Sequence, residues 1–161
     1  MTDRSSIPGL NLRHPAHLLA FGFGAGTLPF APGSFGTLVA IPLYLLLAPL
    51  PLIAYLSTLL VAFIAGVWLC ERTSRDLGVH DHGGIVWDEI VGYLVTMTFA
   101  PAGWLWILIG FLLFRLFDIF KPWPISTIDR RVKGGFGIML DDLLAAVYAL
   151  LVMLLIEPLV A

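Results

Sequence analysis

Charge in this chain is confined to a few short clusters separated by long apolar stretches, a spacing that suits lipid rather than water as the surrounding solvent. After Arg13 no charged residue occurs until Glu71. That gap holds two apolar runs, Leu38 to Pro49 and Leu52 to Cys70, with Pro49 and Pro51 marking a turn between them. A second cluster, Glu71 to Glu89, precedes an apolar stretch from Ile90 to Phe114 that is interrupted at Pro101, Ala102 and Gly103, which predicts a second hairpin. The third cluster, Arg115 to Asp142, gives way to a last apolar run, Leu143 to Ile156. The pattern predicts an all-α, polytopic membrane domain with about five membrane-embedded helices. Several runs fall short of the ~20 residues that cross a hydrocarbon core, so tilt, local thinning or re-entrant insertion must accompany them.

Composition agrees. Of the 161 residues, 59% are hydrophobic and 12% charged, against roughly 25% charged in soluble domains, and mean hydropathy is +0.95. A net charge of −2 and a pI near 6.0 exclude the basic field that steers proteins onto nucleic acid. The single cysteine, Cys70, excludes an intrachain disulfide and a multi-cysteine zinc site, and reads as a small apolar residue at a helix end. If both hairpins cross and return, all nine Lys and Arg residues, from Arg4 to Lys133, share one face. The positive-inside rule makes that face cytoplasmic. Residues 1–16 read as a flexible leading segment without a cleavable signal, and the whole of 1–161 as one domain.

The candidate chemistry lies in the polar clusters. The stretch 22–37, GFGAGTLPFAPGSFGT, carries five glycines just before the first apolar run. It has neither a preceding strand nor a Walker lysine, so nucleotide binding is not expected. A glycine-rich backbone ahead of a helix can still receive a phosphate, with Ser34 or Thr37 as the N-cap. Asp88 and Glu89 stand where a helix enters the membrane, a costly position for charge unless a cation, a partner or water compensates. A hard divalent cation would do so. His80 and His82 flank Asp81, and without further His or Cys in range they read as hydrogen-bonded loop residues rather than zinc ligands.

Arg115 and Asp118, three apart, share a helix face, and Lys121 precedes Pro122, where a helix must end. They read either as a simple ion pair or, with Lys121, as cations for phosphate oxygens. Arg130, Arg131 and Lys133 serve equally as topology signal or as a belt for anionic headgroups. Asp141 and Asp142 precede a long uncharged run, as Asp88 and Glu89 do. Two acidic pairs at helix entrances on one face can converge on one or two cations around a phosphate, and a favourable helix dipole is the simpler alternative.

TLPFAPGSFGT at 27–37, HDHGGIVWDE at 80–89, FDIFKPWPI at 117–125 and GGFGIMLDD at 134–142, in this order, closely resemble the phosphatidylglycerophosphatase A family, and the resemblance spans most of the chain from His17 onward. It implies a multi-pass enzyme of the bacterial inner membrane, its active site facing the cytoplasm. Such an enzyme removes the terminal phosphate of phosphatidylglycerophosphate using Mg²⁺, to give phosphatidylglycerol. By position, Asp81, Asp88 and Glu89 match the family's acidic motif, Asp118 and Lys121 its DxxKPWP element, and Asp129, Asp141 and Asp142 its C-terminal acids. These residues are the expected catalytic and metal-binding set: Asp88, Glu89, Asp141 and Asp142 for the metal, with Arg115, Lys121, Ser34 and Thr37 for the substrate phosphate. No residue pattern of a Cys-dependent, haloacid dehalogenase or PAP2 phosphatase is present, which favours attack by metal-activated water and leaves a phospho-aspartate open. Buried acids and broken helices also mark ion paths, so a small transporter is the rival reading.

Overall fold

A computed structural model describes residues 7–160; residues 1–6, Arg4 among them, and Ala161 lie outside the described part. Among the described residues the secondary structure is entirely helical: α1 (Pro15–Ala20), a 3-10 segment (Gly22–Thr27), α2 (Pro32–Leu47), α3 (Leu52–Leu77), α4 (Trp87–Thr96), α5 (Trp104–Phe120), α6 (Ile125–Arg131) and α7 (Gly134–Val160). The five expected apolar elements are present as α2, α3, α4, α5 and α7. Among the described residues only α3 and α7 are long and apolar enough to cross a membrane. At 1.5 Å per residue α4 rises only about 15 Å, half a hydrocarbon core, and α2 and α5 about 25 Å. Five apolar helices thus stand where they were expected, but the two candidate membrane spans are fewer than the five membrane-embedded helices expected.

The helix limits differ from the apolar runs for local reasons. Helix α2 starts six residues before Leu38, because Pro32 occupies its first turn, where a missing N–H costs nothing. Its N-cap is Ala31, with left-handed backbone (φ 45°), and not Ser34 or Thr37 as expected. Thr37 is fully buried and donates its hydroxyl to the Gly33 carbonyl at 2.9 Å, the back-bond of a residue inside a helix. Helix α3 continues about two turns past Cys70, which therefore lies inside the helix, buried at 3.8 Å from the Met139 sulfur. Two i,i+4 pairs, Arg75 with Glu71 and Arg72 with Asp76, carry the extension, and Gly78 ends it with φ +67°. Helix α5 ends at Phe120, ahead of Pro122, as expected.

Helix α4 is the centre of the bundle and packs against α2, α3, α5 and α7. Ile90, Val91, Tyr93 and Leu94 are all buried. Gly92 lets its neighbours close in: a Cβ there would stand 2.6 Å from the Phe114 ring and 3.3 Å from the Asp142 carbonyl oxygen. Two tyrosine hydroxyls of the core are satisfied, Tyr55 donating to the Leu94 carbonyl at 2.6 Å and Tyr93 to that of Ile107 at 3.0 Å. Outward, α3 exposes Ile53, Leu60, Val61, Ile64 and Trp68. The helices run alternately, so the start of α2, the end of α3, the start of α4, the end of α5 and the start of α7 meet at one end of the bundle. There Gly135 N–H donates to Glu71 Oε2 at 2.7 Å. At the same end His17 Nε2 lies 3.0 Å from Asp76 Oδ2, joining α1 to α3.

Candidate active site

At the charged end, α4 and α7 bring their acids together. One oxygen from each of Asp88, Glu89 and Asp142 can be chosen so that all three lie within 4.8 Å of one another. Asp88 and Glu89 occupy the first turn of α4, where its free N–H groups favour negative charge. Asp142 is different. Helix α7 begins at Gly134, so Asp141 and Asp142 fall in its third turn, beyond the reach of the dipole that the simpler reading invoked for them. Asp88 Oδ1, Glu89 Oε2 and Asp142 Oδ2 are all buried without a hydrogen-bond partner. Three carboxylates with unpaired buried oxygens are costly to keep together unless a cation stands among them. Their hard oxygens fit a divalent ion of the Mg²⁺ or Ca²⁺ type.

Two basic side chains border this triad. Arg115, on the last turns of α5, is hydrogen-bonded through Nη1 to Asp118, and the same nitrogen lies 3.8 Å from Glu89 Oε1. Its Nε is buried with no partner. Lys121, the residue that caps α5 in left-handed conformation, bonds Asp141 and reaches Asp129 Oδ1 of α6 at 3.2 Å. Burial alone would lower the Lys121 ammonium, but the Asp141 bond and the neighbouring Asp142 and Asp129 carboxylates raise it above the ordinary lysine range. Lys121 is thus a fixed positive charge at working pH. Asp141 is tied to this lysine rather than joined to the Asp88, Glu89 and Asp142 triad, although the sequence placed it among the metal ligands.

The remaining expected residues lie at varying distance from this centre. Asp81 is exposed on the loop between α3 and α4, with left-handed backbone (φ 50°). His80 Nε2 accepts from Gly134 N–H and His82 Nδ1 from Gly84 N–H, each at 3.0 Å, which bears out their reading as hydrogen-bonded loop residues. Ser34 sits half-buried in the first turn of α2. Gly33, beside it, was not singled out by sequence. A Cβ at Gly33 would fall 2.3 Å from Glu89 Oε1 and 3.1 Å from both terminal nitrogens of Arg115. The first turn of α2 is therefore one wall of the site, and the glycine-rich spacing of 22–37 was the available signal.

The sequence profile of the family Phosphatidylglycerophosphatase A matches residues 18–157. A phosphatidylglycerophosphatase A of Haemophilus influenzae is 45% identical over 159 residues, 98% of each chain. One of Escherichia coli K12 is 48% identical over 139 residues, covering 86% of this chain and 81% of its own. A Bacteroides thetaiotaomicron protein provisionally named a phosphatidylinositol-3-phosphatase is 40% identical over 140 residues, 82% of this chain and 87% of its own. No solved structure gives a significant match.

Proposed function

The chain belongs to the phosphatidylglycerophosphatase A family, and from that membership we propose that it hydrolyses the terminal phosphate monoester of phosphatidylglycerophosphate to phosphatidylglycerol and inorganic phosphate. The reaction is Mg²⁺-dependent, belongs to phospholipid biosynthesis, and takes place at the cytoplasmic face of a bacterial inner membrane. The observation that carries this reading is the buried triad of Asp88, Glu89 and Asp142 with an unpaired oxygen on each acid, bordered by Arg115 and Lys121.

Asp88, Glu89 and Asp142 would hold the cation. Bound there, Mg²⁺ would supply neutralisation of the phosphate charge and a water of lowered pKa. The chain's own residues do the rest. Arg115, braced by Asp118, offers its unpaired Nε toward a phosphate oxygen, and Lys121 offers a permanent ammonium one helix end away. In the proposed step the oxygen of water bonds to phosphorus as the ester P–O bond breaks. A carboxylate of the site takes the proton released by water and passes it to the departing glycerol oxygen, which leaves as the alcohol. The apolar exteriors of α3 and α7 keep the phosphate ester at headgroup level, where the charged end lies.

The test is phosphate release from phosphatidylglycerophosphate by purified protein in detergent. Release with Mg²⁺ that stops with EDTA is the expected result; folded protein that releases nothing, or release indifferent to EDTA, refutes the proposal. Phosphatidic acid in the same assay measures headgroup selectivity.

A further inference from the structure

A cavity of about 450 Å³ opens between α3, α4 and α7, and two of its wall residues lie within one helical turn, along the chain, of acids of the triad. Val91, one wall residue, is one helical turn along α4 from Asp88, and Leu143, another, directly follows Asp142. From there the groove runs along α4 past Val95 and along α7 to Leu150, about 10 Å at helical rise. Leu59 and Phe63 of α3 close the third side. The single polar side chain in the lining, Thr98, donates its hydroxyl to the Val95 carbonyl at 2.7 Å. The groove therefore presents hydrocarbon alone and leaves a polar ligand no partner. Its rim residues Leu60 and Phe99 are exposed, so it opens to the outside of the bundle.

We propose that this groove seats an acyl chain of the lipid whose phosphate is processed at the site formed by Asp88, Glu89 and Asp142 with Arg115 and Lys121, and so makes chain length a determinant of substrate choice. The inference rests on the phosphatase reading above. What selects an acyl chain over other apolar occupants is continuity: a groove without free polar groups has walls within one helical turn of Asp88 and Asp142, two acids of the proposed phosphatase site. Only an amphiphile with a phosphate head joined to a hydrocarbon tail fills both at once.

Val95→Trp fills the groove without touching the site. It is expected to raise KM for dipalmitoyl phosphatidylglycerophosphate by about tenfold or more, the loss from excluding two methylenes, with KM for the dihexanoyl lipid and kcat for both unchanged. Leu112→Trp, on the exposed face of α5, is expected to change neither. Equal loss on both lipids, or no loss on either, overturns the proposal. A second measurement does not need turnover. The wild-type protein is irradiated with phosphatidylglycerophosphate carrying a diazirine in one acyl chain, and adducts are mapped. Adducts in 91–99 and 143–150 that excess phosphatidylglycerophosphate displaces, and phosphatidylethanolamine does not, support the groove. Labelling spread over α5, or displaced equally by both lipids, shows bulk membrane lipid and overturns it. Absence of hydrolysis with groove labelling intact would refute the phosphatase reading and leave the lipid seat standing.

Discussion

Asp88, Glu89 and Asp142 repel one another wherever no positive charge stands between them, and that repulsion separates a catalytic role from a structural one. Asp88→Asn and Asp142→Asn each remove one of the carboxylates, so turnover is expected to fall on the order of 10²-fold or more. The fold should survive, because neither change alters side-chain volume appreciably. In EDTA the Tm of either variant should equal or exceed that of the wild type, while the rise in Tm on adding Mg²⁺ should be lost. A fall in Tm without metal would mean that these acids are structural partners. Lys121 behaves in the opposite way. Lys121→Met strands the buried Asp141 and the adjoining Asp129, at a cost of about 3 kcal/mol in stability. Urea titration of the detergent-solubilised variant checks it, and Lys121→Arg should recover most of the stability.

At the scale of elements, the site depends on how closely the first turn of α2 approaches α4 and α5. Gly33→Ala places a methyl group 2.3 Å from Glu89 Oε1, so α2 must withdraw or Glu89 must turn. Displacement of a positioned group by about 1 Å can cost ~10²-fold in rate. We expect Gly33→Ala to lose at least about tenfold in kcat/KM. Gly83→Ala is the control, because a Cβ there meets no atom within 4 Å and the residue lies outside the left-handed region. Comparable losses in both variants would refute a wall formed by α2. Of this the sequence showed only part. The glycine-rich run before the apolar stretch was plain, yet its neighbours Glu89 and Arg115 are distant in sequence, and only packing discloses what a glycine must make room for.

Across the whole molecule, one end carries the acids and bases while the opposite end holds the turn at 48–51 and the break at 97–103. Single cysteines at Arg130 and Gly103 should therefore label from opposite sides of sealed vesicles, with buried Cys70 silent. Labelling of both from the same side would leave the bundle peripheral or partly inserted. Helix α4 makes this test informative, since its ten residues cannot span alone and its partner α5 must complete the return.

Composition and charge spacing by themselves determined an all-helical chain, the order of its apolar elements, the turns at Pro49 and Pro101, and the gathering of charge. Each of these is a local property of consecutive residues. The four family motifs likewise named the acids in advance. Which acids meet was left to tertiary structure: Asp142 joins Asp88 and Glu89, while adjacent Asp141 turns to Lys121, because neighbours on a helix point about 100° apart and the packing of α7 on α4 and α5 decides where each points. Helix lengths were decided in the same way. Pro32, the ion pairs after Cys70 and Gly134 extend helices past the apolar runs, since polar residues remain helical where side-chain pairs and neighbouring elements support them.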